Sequence, residues 1–391
     1  MNAKILHAAL FCPSPEGWWG LPILLWGRPG TGKTAFLGDA AGRAGLPYKR
    51  ISPAEQGECG FGVTPVPDGN GFLMFPPPIW SKPFTTNGGG LIFVDEISTA
   101  PPALQAPLLG LVQLRTLGDY QFPSRTRMVG AANETRDAAG GWDLAPALAN
   151  RFGHYDWEGL SPNDWCVALM GGFTNMEESE GPRVSAEAEE KRVMDAWPAA
   201  MAWASGLVAG FIKRRPELLH KQPASGDAKS SRAWPSNRTV HYATTALASA
   251  RVHGLDEIDT DELVAGFVSL PWVSEFRTWM VNLDLPDPAD VLDGKVAWKH
   301  DGRRLDRTLV VLQSCAALVA PEKAEKKKER GNKCWELIGT VLKDAADCAI
   351  PAARVLKAAN MIVTSQYPAY LEIGHKLLPI MVSAGIVGGP R

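Results

Sequence analysis

Residues 27–34 run Gly27-Arg28-Pro29-Gly30-Thr31-Gly32-Lys33-Thr34, and this octet restricts the possible folds more than any other stretch. Glycines at these spacings open a backbone path closed to larger residues, with N–H groups free to point inward at an anion. The pattern G-x-x-x-x-G-K-[ST] is met at every position. An apolar run, Leu21-Pro22-Ile23-Leu24-Leu25-Trp26, leads in, and 33–44 has helical spacing. Strand, loop and helix in that order set a helix N-terminus, with unpaired N–H groups and a favourable dipole, behind the loop. A glycine-rich turn without function would need neither flank. On this pattern Gly27 through Thr34, with Ala35, cradle nucleotide phosphates, Lys33 reaches the β- and γ-phosphates, and the Thr34 hydroxyl holds Mg²⁺.

The second chemical landmark is Leu91-Ile92-Phe93-Val94-Asp95-Glu96. A continuous apolar run is what a strand buried on both faces of a parallel sheet requires. Two acids at its C-terminal end stand where open α/β sheets take ligands. Asp95 is expected to hold the Mg²⁺ hydration shell and Glu96 to orient and deprotonate the attacking water. A further buried strand, 128–132, ends in Asn133, which either bonds that water or the γ-phosphate, or caps a turn.

Composition bounds the rest. With 391 residues, 45 % apolar and 21 % charged, two or three globular domains are expected. The net charge of −2 gives no general drive toward nucleic acid or anionic membrane. Cys12, Cys59, Cys166, Cys315, Cys334 and Cys348 are scattered, as in a reduced, cytoplasmic chain, and no zinc site is expected. No apolar run approaches a membrane span, and the N-terminus is too short in its apolar part for a signal peptide.

Along the chain, 1–20 predicts a short helix and a connector whose Trp18 and Trp19 either stack on an adenine or simply pack. A strand at 47–51 follows the loop helix. Asp68-Gly69-Asn70-Gly71, set between Val63-Thr64-Pro65-Val66 and Phe72-Leu73-Met74-Phe75, predicts a β-hairpin. Helices are expected at 101–117, 144–150, 187–212 (interrupted at Trp197-Pro198), and 240–253 with Ser236 as its cap and Arg238 in the first turn. Others follow at 259–270, closed by Pro271, and at 306–319, 335–346, 352–363 and 371–386. Residues 177–181 are acidic and loop-like, and 222–232 forms an exposed loop. The mostly basic run 322–330 is a solvated loop or helix end, or a contact for acid or nucleic acid.

In order and spacing, the phosphate loop, the turn-rich insert, Val94-Asp95-Glu96-Ile97-Ser98-Thr99-Ala100-Pro101-Pro102, Ala131-Ala132-Asn133 and Ala149-Asn150-Arg151-Phe152 resemble the AAA+ ATPases of the MoxR type over 20–160. Where that family continues Asn-Arg-Ala-Pro-Pro, this chain has Ser98-Thr99-Ala100-Pro101-Pro102. The resemblance implies an α/β P-loop AAA+ core at 21–155, its parallel sheet flanked by helices, with a hairpin insert at 57–80. It further implies a lead-in at 1–20, an α-helical lid at 156–284 and a helical C-terminal region at 285–391. Asn133 takes the sensor-1 place. Arg151 takes that of an arginine finger reaching a neighbour's nucleotide, with a surface salt bridge as its alternative role and Arg125, Arg127 and Arg136 as alternative fingers. Arg238, in Ser236-Asn237-Arg238 where the family has Ser-Pro-Arg, takes the sensor-2 place, contacting the γ-phosphate from the lid. The implied activity is ATP hydrolysis with Mg²⁺ in a hexameric ring that remodels a protein partner, often one with a von Willebrand factor A domain. A nucleic-acid motor and a nucleotide-gated scaffold are the other readings. The hairpin carries no Lys or Arg, which argues against the first, and intact Lys33, Asp95 and Glu96 argue against the second.

Overall fold

The computed structural model describes residues 1–57, 59–61, 64–133, 142–171, 185–224, 227–322, 324–362 and 366–383. Gly62-Val63, Arg136 and the acidic stretch 177–181 lie outside them. The chain divides into two compact units, Met1–Met194 with His220–Val273 and Asp195–Leu219 with Ser274–Arg391.

Five strands organise the first unit: β1 Ile23–Trp26, β2 Tyr48–Ile51, β3 Gly89–Val94, β4 Arg125–Ala132 and β5 Gly153–Asp156. They pair in parallel in the order β2-β3-β4-β1-β5. β1 and β3 are buried at every residue, the environment that their unbroken apolar runs demand. Helices α1 Ala3–Leu10, α2 Lys33–Arg43, α3 Pro102–Leu114 and α4 Pro146–Ala149 accompany the sheet. Leu104, Leu108 and Leu111 of α3 share one apolar core with Leu24, Ile92, Val94 and Met128 of the strands. Between β2 and β3, Val66–Pro67 pairs antiparallel with Leu73–Met74. The Asp68 carboxylate accepts from the N–H groups of Asn70 and Phe72 at 2.7 and 3.0 Å and so ties the hairpin turn.

Helices α5 Pro162–Gly171, α6 Ala186–Arg214, α7 Asn237–His253, α8 Glu257–Val268 and α9 Leu270–Val281 follow. α7 starts where expected because Ser236 and Thr239 cap each other's backbone N–H groups, a reciprocal arrangement worth about 1 kcal/mol. The second unit is helical. In it α10 Leu305–Val319, α11 Ala324–Leu342, α12 Ala346–Ala358 and α13 Pro368–Ser383 enclose a core containing Leu312, Cys315, Trp335, Ile338 and Leu356.

Several expectations need correction. The helix expected to reach residue 117 stops at Leu114, because Arg115 adopts φ +54° and Thr116–Leu117 pairs with Tyr120–Gln121 instead. Strand β5 lacks an apolar run and was not anticipated. His154 and Tyr155 are buried because each has a partner: Tyr155 donates to the Leu263 carbonyl at 2.6 Å, and His154 is bonded on both ring nitrogens. α6 continues through Pro198; Pro198 and Met194 are both exposed, so water can serve the carbonyl that proline's missing N–H leaves free. Pro271 does not close a helix. Ser269 at φ +93° makes the break, and Pro271 stands in the first turn of α9, where its missing N–H costs nothing. The basic run largely belongs to α11, with Arg330 paired to Asp293 and Glu322. Trp18 donates to the Gln113 carbonyl at 3.1 Å and the Trp19 N–H to the Ser124 carbonyl at 2.8 Å; both pack near the start of β4, away from the loop.

Candidate functional site

β1 ends at Trp26, and the chain turns through 27–32 before α2 starts at Lys33. Gly30 and Gly32 sit at φ +75° and +86°, a region that costs other residues about 1–2 kcal/mol. A Cβ at either would meet nothing within 4 Å, so the space beside them is open. Gly27 is required for the opposite reason: a Cβ there would come within 2.5 Å of the Trp157 carbonyl oxygen. Trp157 follows β5 and clamps the loop. Its N–H donates to the Trp26 carbonyl at 2.6 Å and its indole N–H to the Thr31 carbonyl at 3.0 Å, while its ring packs on Phe36.

Because β4 lies between β1 and β3, the residue just beyond it, Asn133, falls between the loop and the acids. Lys33 is buried. Its Nζ donates to the carbonyls of Gly27 (2.8 Å) and Arg28 (2.9 Å) and to Asn133 Oδ1 (3.2 Å). Burial pushes its pKa down, against the opposing pull of the Asp95 and Glu96 charges, so both acids act on this ammonium. The Thr34 hydroxyl donates to Asp95 Oδ2 at 3.1 Å. Glu96 adopts φ +54°, strain of a kind found at functional sites; its carbonyl accepts from the Thr99 N–H and hydroxyl, each at 2.8 Å. Arg28, Pro29 and Ala35 are exposed. A hydroxyl beside a carboxylate offers the hard oxygen donors that Mg²⁺ takes, and the open glycine side of a loop at a helix N-terminus suits phosphate.

The arginines lie elsewhere. Arg151 comes two residues before Gly153, which is in register with Ile23 of β1. It therefore precedes the start of β5, the end of the sheet opposite the one at which β1 runs into the loop. Its Nε donates to Gln113 Oε1 at 2.7 Å and its NH1 to the Ala147 carbonyl. Arg238 lies close enough for its charge to help depress the pKa of Arg151, after burial. Arg238 thus stands in the neighbourhood of Arg151, in the first turn of α7. Arg127 is excluded as a finger by burial: its side chain is fully enclosed and bonded to Glu190 at 2.6 Å and to the Leu10 carbonyl at 2.9 Å. Arg125 is paired with Glu187 and Glu190.

No protein-family model matches the chain, and no curated protein matches it. Among solved structures it is similar to a candidate ATPase from Cytophaga hutchinsonii ATCC 33406, at 18 % identity and a TM-score of 0.43, over 68 % of this chain and 78 % of that one. That likeness is too slight to bear on function.

Four contacts escaped the reading of the sequence. Arg50 of β2 donates from Nε to Asp95 Oδ2 at 2.7 Å. Arg232 lies 4.2 Å over the Trp26 ring and pairs with Asp156 at 2.9 Å. The Trp26 indole N–H donates to His154 Nδ1 at 2.8 Å. No local pattern announces any of them, since each joins residues distant in sequence. His7, Glu189 and His253 bring three potential ligand atoms within 4.8 Å of one another, but Arg192 already fills the place of a cation there. It donates to both Glu189 oxygens at 2.8 and 2.7 Å, and its NH2 lies 3.1 Å from His253 Nδ1. This cluster ties α1, α6 and α7 together.

Proposed function

We propose that the chain binds ATP with Mg²⁺ at 27–35 and hydrolyses it, as a hexameric, ring-forming AAA+ motor of the MoxR type acting on a protein partner. The observation that carries this reading is the convergence of Lys33, Thr34, Asp95, Glu96 and Asn133, from three separate stretches of chain, at the C-terminal edge of a parallel sheet. Lys33 exchanges neutral carbonyl acceptors for charged phosphate oxygens, which form the stronger bonds. Held between Thr34 and Asp95, Mg²⁺ would neutralise charge building on the phosphate oxygens. Glu96 accepts a proton from water as its oxygen attacks the γ-phosphorus and the bond to ADP breaks. Asn133 holds that water or the γ-phosphate. Arg151 precedes the end of β5 opposite its own loop, so in a ring it would meet the neighbour's nucleotide, where a finger is worth about 10³–10⁵ in rate, and Arg238 would contact the γ-phosphate from the lid.

A protein rather than a nucleic acid suits the hairpin, whose Phe72 and Leu73 are 72 % and 67 % exposed and which carries no basic residue. A partner with a von Willebrand factor A domain follows from the family resemblance alone. The test is turnover of ATP by the wild-type hexamer, reduced about 100-fold or more in Glu96→Gln with binding retained. Wild-type turnover no greater than that of Glu96→Gln would leave only a nucleotide-gated scaffold.

A further inference from the structure

Among the described residues, Arg50 is the cation bonded to the carboxylate that the nucleotide reading assigns to the metal. It sits on β2 in register with Phe93 of β3, and the Asp95 N–H donates to the Ile51 carbonyl at 2.8 Å, so its position beside Asp95 is fixed by the sheet. Its Nε donates to Asp95 Oδ2 at 2.7 Å, and Oδ2 is also the acceptor of the Thr34 hydroxyl. The other side of the guanidinium is held by Glu55: NH1 lies 3.0 and 3.2 Å from its two carboxylate oxygens. The two acids differ in exposure, with side chains 10 % accessible for Asp95 and 55 % for Glu55. Arg50 thus bridges a buried carboxylate and a solvated one.

A guanidinium and a divalent ion cannot share one carboxylate oxygen without strong repulsion, because both bring full positive charge to the same short contact. We propose that Arg50 is a positioning residue that stands in for the metal: it neutralises Asp95 while the divalent ion is absent and is retained by Glu55 when the ion enters. The inference rests on the nucleotide reading above and adds to it a determinant of metal affinity separate from phosphate affinity. The two residues then act with opposite sign. Losing Arg50 removes a competitor for Asp95, whereas losing the Glu55 charge leaves the guanidinium dependent on Asp95.

The test is Mn²⁺ binding followed by electron paramagnetic resonance on the full-length chain saturated with ADP, alongside mant-ADP binding in EDTA. Arg50→Ala should lower the Mn²⁺ midpoint on the order of tenfold, the equivalent of one charge-assisted hydrogen bond. Glu55→Gln, a change at an exposed position, should raise it by about threefold. Mant-ADP affinity in EDTA should match wild type in both. A plain structural clip between β2 and β3 would lower stability and leave both midpoints unmoved, which would overturn the proposal, as would shifts of the same sign. Wild-type protein that binds no mant-ADP would instead overturn the nucleotide reading itself.

Discussion

Mild acid should loosen the seam between β1 and β5, because His154 is held there without charge. The Trp26 indole nitrogen can only donate, so His154 Nδ1 is the acceptor at 2.8 Å, and the proton on Nε2 goes to the Ala149 carbonyl at 2.9 Å. Burial pushes the imidazole from 6.5 down to about 4. Above pH 6.5 folded and unfolded chains are both neutral at this residue. Between pH 6.5 and about 4 the unfolded chain takes up a proton that the folded chain refuses, so stability falls as pH falls. Each tenfold loss of proton affinity on folding is worth about 1.4 kcal/mol, giving about 3 kcal/mol over the window and about 2 kcal/mol by pH 5. His154→Phe removes the titration and orphans the Trp26 N–H and the Ala149 carbonyl, at a cost of about 2–4 kcal/mol. Urea unfolding of both proteins should therefore show a gap of that size at pH 7.5 that narrows by about 2 kcal/mol at pH 5. The partly buried His253, also pushed down to about 4, contributes equally to both and cancels. A gap independent of pH would refute the assignment of a neutral His154.

The loop glycines should fail for different reasons. Gly32→Ala is strained only by its φ and should cost about 1 kcal/mol in urea unfolding, with Gly32→Asn costing less because asparagine tolerates that region. Gly27→Ala drives backbone against backbone and should cost about 1–3 kcal/mol, with no rescue by asparagine. Arg151→Ala should bind nucleotide yet lose about 10³-fold in turnover. Mixing it with Glu96→Gln subunits, themselves inactive, should restore activity, since each then supplies what the other lacks; no recovery would move the arginine's work into its own subunit.

How much was legible follows from how local each requirement is. The loop, the acid pair and the paired Ser236 cap declare themselves because a phosphate, a metal or a helix end imposes residue types at fixed spacing. β1 and β3 were readable because strands buried on both faces must be apolar throughout. β5 was hidden because Gly153-His154-Tyr155-Asp156 is polar, and its burial depends on Trp26, Ala149 and Leu263, none of them adjacent in sequence. The Trp157 clamp and the Arg50–Asp95 pair are likewise products of strand order. The first turn of α7, with Arg238 in it, was located correctly because its cap is a local feature. Arg127, one of the alternative fingers, is enclosed with Glu190 and the Leu10 carbonyl, partners distant in sequence.

The central claim is that the backbone from Gly27 to Thr34, with Lys33, grips a nucleotide's phosphates. Titration calorimetry of the purified chain with ATP and Mg²⁺ tests it most directly: wild type should bind one ATP per chain, and Lys33→Ala should bind at least 100-fold more weakly, a loss of about 2.7 kcal/mol. A wild-type chain that takes up no ATP, or a Lys33→Ala chain that binds it equally well, would contradict the account.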